Sequence, residues 1–466
     1  MTDLASPGCE PESSYLSGWG WQIVGALAGL LAVSFIVNWS LASFYGVDIF
    51  ASIAFPGNDS SWCDTTKYAF GRHCWSDYTL IRFDSLTAVP AKYMSATVGV
   101  EQTYPVSTRI VRIPFFVVEQ VLGFKAGLLA FIAAITACLA APAWWATIGA
   151  RWPQRVMFLL VGTVATAPFL VVWDRGNIFA FVVPLLLVAL VAIVVEKPWI
   201  AVLAIIAAAS VKPQYAGMGL ALLALRLWIP GIIALAGAAA AMFLPFLLLG
   251  GSALSGATDW LRTAALLNER LPLTVDLPQN ISFARLLARA VEVTAQVGEL
   301  VGLDMLQVRV LLGAPLQTYT TISLVFSASI IALLLVVGRR LDRSVLAIAF
   351  AAVLSLSTTL TYAYYFAFCI PALAILVRAP RGRFVPHGRL QEGLKLVLSA
   401  AIVCALTPLV IPMRAVNVIE GPLLVGSWLP LLGTGFFALF LILAVAVGLQ
   451  ETLRSPRPWN QSGCSS

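Results

Sequence analysis

Apolar runs near the length of a membrane-spanning helix recur along the whole chain, and no other feature restricts its fold as strongly. Hydrophobic residues make up 60% of the 466 residues and charged residues 11%, whereas a soluble domain carries about 25% charged residues. A helix needs roughly 20 apolar residues to cross a hydrocarbon core of ~30 Å. The runs lie near residues 21–43, 125–148, 155–172, 177–195, 198–213, 215–228, 230–250, 318–337, 344–360, 363–379, 395–412 and 425–449. The sequence therefore predicts an all-α, polytopic membrane protein with about 11–12 transmembrane helices.

One pair of these runs is interrupted. Residues 198–213 and 215–228 are short and are separated at Lys212-Pro213-Gln214. Proline lacks a backbone N–H, and its ring clashes with the preceding helical turn. Two alternatives stay open for this pair, broken or tilted helices and two full spans.

Basic residues fall in alternate short loops, the pattern that marks the cytoplasmic side of a membrane protein. These residues are Arg151 and Arg155, Lys197, Arg226, Arg339 with Arg340 and Arg343, and Arg378 with Arg381, Arg383 and Arg389. The pattern predicts one membrane domain, 21–450, between cytoplasmic tails at 1–20 and 451–466, with large extracytoplasmic loops at 44–124 and 251–317. The first tail is acidic and lacks a basic segment, so the first run is predicted to be a retained helix rather than a cleaved signal peptide. The formal net charge of +7 indicates a bias at the membrane surface rather than nucleic-acid binding, because no basic stripe interleaved with aromatics lies outside the runs.

Asp48 follows the first apolar run by only a few residues, so it is expected close to the membrane plane. An isolated carboxylate is costly there unless it is hydrated or paired. One interpretation is a general base that deprotonates an acceptor hydroxyl. The other is a helix-end carboxylate that faces water.

Cys63 and Cys74 lie in the same predicted outer loop. In an oxidising compartment they could form a disulfide that holds the loop. Metal binding is the alternative, although His73 and these two cysteines lack a fourth ligand at convincing spacing. The other cysteines inside apolar runs, Cys138, Cys369 and Cys404, are interpreted as packing residues.

The stretch TYPVSTRIVRIPFFVVEQVLGF mixes apolar positions with Arg109, Arg112 and Glu119. Such a pattern is typical of a helix that lies in the membrane interface, although a buried surface helix looks similar. Arginine at that position could bind a phosphate through two hydrogen bonds.

Two short polar junctions separate apolar runs further along the chain, WDRGN and KPQ. Arg175 and Lys212 are candidate phosphate ligands, with Asn177 and Gln214 beside them. The alternative for both cations is that their side chains extend to the membrane interface.

Two further stretches that contain candidate binding residues lie later in the chain. Asn280 and Ser282 precede an amphipathic pattern that contains Arg285, and they are interpreted first as helix-capping residues. The stretch TTLTYAYYFAF places three tyrosines, among them Tyr364 and Tyr365, at a helix start. An aromatic belt at the membrane interface explains them, and stacking on a sugar is the functional alternative.

The order of these elements resembles the family 87 (DUF2029) glycosyltransferases, which are GT-C type membrane enzymes that use polyprenyl-phosphate sugars. The succession is Asp48, YPV..RI..IPF, RGN, KPQ, a QNISF-like element and a late aromatic-rich turn, and it runs from about residue 45 to 380. Two departures stand out. The aromatic residue and Tyr that usually follow the family's Asp are replaced here by 49–52, IFAS, and 361–365, TYAYY, stands where mannosyltransferase members carry a His-containing motif. The paired tyrosines look more like the arabinofuranosyltransferase branch.

The resemblance implies a GT-C type helical bundle whose long outer loops carry interfacial helices. It also implies an inverting transfer of arabinofuranose or mannose from a polyprenyl-phosphate donor to a cell-envelope glycan or glycolipid acceptor, outside the plasma membrane, with Asp48 as the catalytic base. The donor phosphate and substrate would be bound by Arg175, Lys212, Asn177, Gln214, Arg109, Asn280, Ser282, Arg285, Tyr364 and Tyr365. No cofactor is required, and a divalent metal ion is optional, because the bond from C1 to the phosphate is already activated.

A lipid-linked sugar flippase or transporter is the rival function. Transporters often place broken helices and charged sites near the bilayer midplane in two repeated halves. The two halves of this chain show no matching interruption, and this favours the transferase.

Overall fold

The computed structural model describes residues 18–46, 107–108, 111–248, 258, 262, 280–300, 316–358, 361–378, 389–409, 414–418, 421–425 and 428–454. Helices dominate these residues. They are α1 (Gly18–Tyr45), α2 (Ile113–Leu122), α3 (Phe124–Ala146), α4 (Trp152–Leu159), α5 (Ala167–Arg175), α6 (Phe179–Val194), α7 (Pro198–Val211), α8 (Gly219–Ala224), α9 (Trp228–Leu248), α10 (Phe283–Leu300), α11 (Leu316–Val337), α12 (Arg343–Leu356), α13 (Cys369–Arg378), α14 (Arg389–Leu406) and α15 (Trp428–Arg454). Each predicted apolar run coincides with one helix or with a broken pair, so the prediction of a helical membrane protein is confirmed.

A two-stranded antiparallel hairpin interrupts this helical architecture and was not predicted. Strands β1 (Arg414–Val418) and β2 (Gly421–Val425) pair with Arg414 opposite Val425 and Val418 opposite Gly421. Each strand has only five residues, and only the first, RAVNV, alternates apolar with smaller or polar residues, so the pattern is too short to be separated from a loop at the end of α14.

Five helices within the described residues are long and apolar enough to cross a membrane, and a bent pair makes a sixth. The five are Trp19–Tyr45, Phe124–Ala146, Trp228–Phe246, Gln317–Arg340 and Leu429–Arg454. Other predicted spans form shorter apolar helices such as α7, which at 14 residues is about 21 Å long, less than a hydrocarbon core of ~30 Å. The expected total of 11–12 counts these shorter helices as spans and stays a prediction.

The chain breaks where its sequence contains helix-stopping residues. Helix α4 passes through a π-helical turn at Leu160–Val164 and meets α5 at an angle of 65°. Helix α7 stops at Val211 and is followed by a 3₁₀ turn, Pro213–Met218, and the short α8. Of the two alternatives for residues 198–228, the structure has the broken helix.

Helix α2 supports the prediction of a helix after Arg109. It has no buried residue, and Arg112 at its start pairs with Glu119 at 3.7 Å. Phe115 packs against Phe131 of α3, with ring centroids 5.2 Å apart.

The core lies around α6, which packs against α3, α7, α12 and α13. Every residue of α12 from Ser344 to Leu356 is buried, as are residues 369–377 of α13. Large apolar side chains are exposed on the outer helices, including Phe35, Leu203 and Leu324. This distribution is typical of a bundle whose outer surface faces lipid. Cys369 is buried, and Cys138 and Cys404 are partly buried, as expected of packing residues.

Several contacts join loop ends for which the basic residues predict the same side of the membrane, and the sides themselves stay a prediction. Arg343 pairs with Glu196 at 3.0 Å, and the Arg378 guanidinium donates to the Trp145 carbonyl. Both contacts join ends that are predicted to be cytoplasmic. At the opposite ends, the Asn38 amide donates to the Pro408 carbonyl at 2.7 Å.

Replacing Gly20 with Ala is expected to lower the free energy of unfolding by about 1–3 kcal/mol, because extra volume in a tight contact forces backbone movement. A Cβ at Gly20 would lie 2.4 Å from the Cα of Val377 in α13. Thermal unfolding of the purified variant in detergent would measure the effect. Gly25→Ala on the same helix is the control, since nothing lies within 4 Å of its Cβ. Equal stability of both variants would contradict the close α1–α13 contact.

Labelling of intact cells with a membrane-impermeant thiol reagent, after mild reduction, is expected to modify Cys63 and Cys74 but not Cys464. Both cysteines lie outside the described residues, and the expectation rests on the alternating basic loops. Single-cysteine variants separate the signals, and permeabilised cells give the positive control for Cys464. Labelling of Cys464 alone in intact cells would invert the topology.

Candidate functional site

Three polar elements meet at one place in the bundle: the turn at WDRGN, the break at KPQ and the tyrosine turn. The first is built as a helix stop. Gly176 has left-handed backbone angles, φ 61° and ψ 38°. Its N–H donates to the Trp173 carbonyl at 3.1 Å, and the Asn177 N–H donates to the Val172 carbonyl at 2.9 Å. This pair of bonds is the Schellman motif, for which glycine is the favoured residue, and it leaves Arg175 at the last position of α5.

Asn177 connects this stop to the next helix. Its side-chain oxygen accepts from the Phe179 N–H at 2.9 Å, so it satisfies a backbone donor at the start of α6. The polar residues between two apolar helices therefore include a helix stop at Gly176 and a cap at Asn177. Asp174 is buried beside them.

Lys212 ends α7 and lies almost completely inside the protein, at 3% exposure. Its N–H still completes the helix by donating to the Ala208 carbonyl at 2.9 Å, and the next residue, Pro213, starts the 3₁₀ turn. The interpretation of Lys212 as a side chain that extends to the membrane interface is wrong, because its ammonium lies among tyrosine rings. Two residues later, the amide nitrogen of Gln214 is buried and has no hydrogen-bond partner.

The tyrosine turn is fixed by a backbone connection to the segment before α10. Asn280 and Tyr362 form an antiparallel bridge. The Ile281 N–H donates to the Thr361 carbonyl at 2.7 Å, and the Thr361 N–H donates to the Asn280 side-chain oxygen at 3.1 Å. The 3₁₀ turn Ala363–Phe368 follows.

The rings of this turn form a column. Tyr362 stacks on Tyr364 with centroids 5.5 Å apart, and Tyr364 stacks on Tyr365 at 4.7 Å. Phe179 of α6 closes the inner end, 5.3 Å from Tyr365. Because Tyr364 and Tyr365 are buried, the interpretation of these two as a belt facing lipid headgroups is wrong.

Two cations lie on this tyrosine column (Tyr362, Tyr364, Tyr365). The Arg175 guanidinium lies 5.4 Å from the centroid of Tyr362. The Lys212 ammonium lies 5.4 Å from Tyr364 and 5.6 Å from Tyr365. All three distances are within the range of cation–π attraction, which stabilises a desolvated cation by up to about 2 kcal/mol.

The members of this cluster differ in accessibility. Lys212 and Tyr364 are buried, whereas Arg175, Tyr362 and Gln214 are partly exposed. A ligand that approached the cluster would therefore meet the partly exposed residues first.

The remaining predicted residues have structural contacts of their own. The Ser282 hydroxyl accepts from the Arg285 N–H at 3.3 Å, so the capping interpretation of Ser282 is confirmed. Arg285 is buried. The Asn280 side-chain oxygen also accepts from the Ser282 N–H at 3.0 Å.

Asp48, Arg109, Cys63 and Cys74 lie outside the described residues. The two residues before Arg109 are described, and both attach to the end of α7. The Ser107 hydroxyl donates to the Ser210 carbonyl at 2.6 Å, and the Thr108 hydroxyl donates to the Val211 carbonyl at 3.2 Å.

Tyr362 and Phe179 were not predicted as site residues. Tyr362 belongs to the recognised group of three tyrosines, but only its own backbone bridge to Asn280 distinguishes it. Phe179 has no sequence signal, since it is one apolar residue at the start of an apolar helix.

No group of three or more His, Cys, Asp or Glu side chains that could hold a metal ion occurs in the described part of the chain. No model of a protein family, no curated protein and no solved structure matches the chain.

Proposed function

We propose that this protein is a membrane glycosyltransferase that moves a sugar, arabinofuranose or mannose, from a polyprenyl-phosphate donor to a glycan or glycolipid acceptor on the extracytoplasmic side of the plasma membrane. The observation that supports this most is the placement of Arg175 and Lys212 on the tyrosine column inside an apolar bundle. A lipid-linked phosphate needs cations at the depth where its apolar tail enters the membrane.

The free-energy cost of placing two charged side chains, Arg175 and Lys212, within an apolar bundle supports a role for them in ligand binding. Ionisable groups within membrane segments are expensive, and they are kept where they contact each other, backbone or a polar substrate. Lys212 is buried against two ring faces, and the nearby Gln214 has an amide nitrogen without an acceptor. A phosphate or sugar oxygen would provide that acceptor.

In the proposed reaction the acceptor oxygen attacks C1 of the sugar, and the bond from C1 to the phosphate oxygen breaks. Asp48 takes the proton of the acceptor hydroxyl. The electrons of the broken bond leave with the lipid phosphate, and Arg175 and Lys212 offset the charge that develops there. Displacement from the opposite face inverts the configuration at C1.

A donor screen tests this proposal. The purified full-length protein in detergent is incubated with polyprenyl-phosphate arabinofuranose, mannose or glucose and a native lipid extract, and products are detected by mass shift. Transfer of one sugar is the expected result, with a double Asp48→Asn, Arg175→Ala variant as the inactive control. Absence of transfer from every donor, by protein that is folded and binds lipid phosphate, would contradict the proposal.

Transport of a lipid-linked sugar is a second candidate, favoured by the broken helices. The break at KPQ places a buried cation at a helix end, as discontinuous helices of transporters do. Transport needs a sealed compartment, whereas transfer proceeds in detergent. Movement of donor across proteoliposomes without any product in detergent would favour the transporter.

A further inference from the structure

The helix break at KPQ leaves the end of α7 with backbone carbonyls that need new donors. In an unbroken α-helix, the carbonyls of Ser210 and Val211 would accept from the N–H groups of residues 214 and 215. Here the Tyr215 N–H donates instead to the Lys212 carbonyl at 3.1 Å. A backbone carbonyl without a donor is costly inside an apolar bundle. The broken conformation therefore depends on donors from elsewhere in the chain.

Two adjacent hydroxyl groups supply these donors. The Ser107 hydroxyl donates to the Ser210 carbonyl at 2.6 Å, and the Thr108 hydroxyl donates to the Val211 carbonyl at 3.2 Å. Each hydroxyl lies 103 residues before the carbonyl that it binds. Ser107 is 2% exposed and Thr108 is fully buried, so both bonds are shielded from water. Side chains thus take the place of the backbone donors that the break redirects.

The break also decides where Lys212 lies. Its backbone is extended, with φ −134° and ψ 102°, and its ammonium lies 5.4 Å from the centroid of Tyr364. If α7 continued through this residue, the backbone angles would be near −63° and −42°, and the side chain would leave the helix in another direction. The bonds to Ser210 and Val211, immediately before it in the chain, therefore bear directly on the position of the cation.

We infer that Ser107 and Thr108 are positioning residues, which hold the break after Val211 and thereby keep Lys212 on the tyrosine column for the donor phosphate. The phosphate in this inference rests on the proposed function. The role in the break rests only on hydrogen bonds within the protein. Both hydroxyls act through the backbone that carries Lys212 and make no contact with the donor in this role.

Hydrogen–deuterium exchange of the purified full-length protein in detergent tests the role in the break. A Ser107→Ala, Thr108→Val double variant removes both hydroxyls with little change in side-chain volume. The amides of residues 214–218 are expected to exchange at least about 10-fold faster, because each lost bond to a buried acceptor favours opening by roughly a factor of 5. Ser107→Thr and Thr108→Ser keep a hydroxyl and should exchange like the unchanged protein.

Binding of farnesyl phosphate to the same protein, measured by calorimetry, tests the positioning of Lys212. The double variant is expected to bind about 10- to 100-fold more weakly, because the cation is no longer held on the tyrosine column. In a Lys212→Met background, the same two substitutions should cause no further loss.

Thr147→Val is the matched control. The Thr147 hydroxyl is buried and donates to the Ala143 carbonyl at 2.8 Å, at the end of α3, which is predicted to lie on the opposite side of the membrane. Its loss removes a bond of the same kind and should change neither exchange at 214–218 nor binding of the probe. Thermal unfolding establishes that each variant is folded. If the double variant does not fold, the two single variants carry the same test.

The outcomes distinguish this inference from the proposed function. Unchanged exchange at 214–218 in the folded double variant would overturn the role of the hydroxyls in the break. Faster exchange with normal binding, or an equal loss of binding with and without Lys212, would overturn the positioning role. If the unchanged protein binds no farnesyl phosphate and transfers no sugar, the proposed function fails, and exchange still decides whether the hydroxyls hold the break.

Discussion

Asp48→Asn is expected to slow sugar transfer by about 10²- to 10⁴-fold, the usual cost of losing a general base. Asparagine keeps the shape and polarity of the side chain but cannot accept the proton, so folding and donor binding should persist. The measurement is the initial rate at saturating donor for the purified variant, with yield and melting temperature as folding controls.

The same exchange at Asp59, Asp64 or Asp77 provides matched controls. These residues come later in the predicted outer loop and are predicted to lie away from the membrane plane, so their variants should retain most of the activity. Near-normal turnover by a well-folded Asp48→Asn protein would remove Asp48 from the mechanism. The next candidate for the general base would then be Asp174, a buried carboxylate next to Arg175.

Arg175→Ala is expected to lower kcat/KM by about 10²-fold or more, in line with the loss of one group that stabilises developing charge. Its guanidinium lies on the tyrosine column and the residue is partly exposed, so the melting temperature of the variant is the control for folding. Arg175→Lys should restore only part of the activity, because an ammonium cannot make the planar two-hydrogen-bond contact. The measurement is initial rate against donor concentration.

Lys212 needs a different variant, since it is buried. Lys212→Met keeps the length and most of the volume of the side chain while removing its charge. If the ammonium contacts the donor phosphate, this variant should fold normally and use the donor poorly. Full activity of Arg175→Ala and Lys212→Met together would exclude the cationic cluster from the reaction.

The helical architecture was predictable because burial in lipid demands long apolar segments that satisfy their own backbone hydrogen bonds. The breaks at Gly176 and Pro213 were also readable, since Pro213 cannot continue a helix and Gly176 accepts left-handed backbone angles. The bend of 65° within the predicted run 155–172 was not predicted. Arg175, Lys212 and Tyr364 were predicted to bind one donor, but the sequence does not show that their side chains meet. Alternation of loops assigns sides, but it does not say which loops touch.

The contacts that define the site join residues that are far apart in the chain. The sequence around each residue does not predict its partner. Asn280 reaches the Thr361 N–H across 81 residues of sequence, and no pattern near either residue indicates the other. The aromatic turn was interpreted as an interfacial belt because tyrosines occur both in such belts and where a ring stacks on a sugar. Only the burial of Tyr364 and Tyr365 decides between them.

The segment before α10 joins three distant parts of the chain at Ile281. Its N–H binds the Thr361 carbonyl, and its carbonyl accepts the Thr434 hydroxyl of α15 at 2.7 Å. Helix α15 supplies none of the proposed ligand-binding residues. Through Thr434 it nevertheless holds Ile281, which in turn holds the backbone next to Tyr362 in the tyrosine column. A chain cut before α15 would retain every one of those residues and lose the clamp that holds Ile281. The support of the site therefore extends to Thr434, more than seventy residues beyond Tyr362 in the chain.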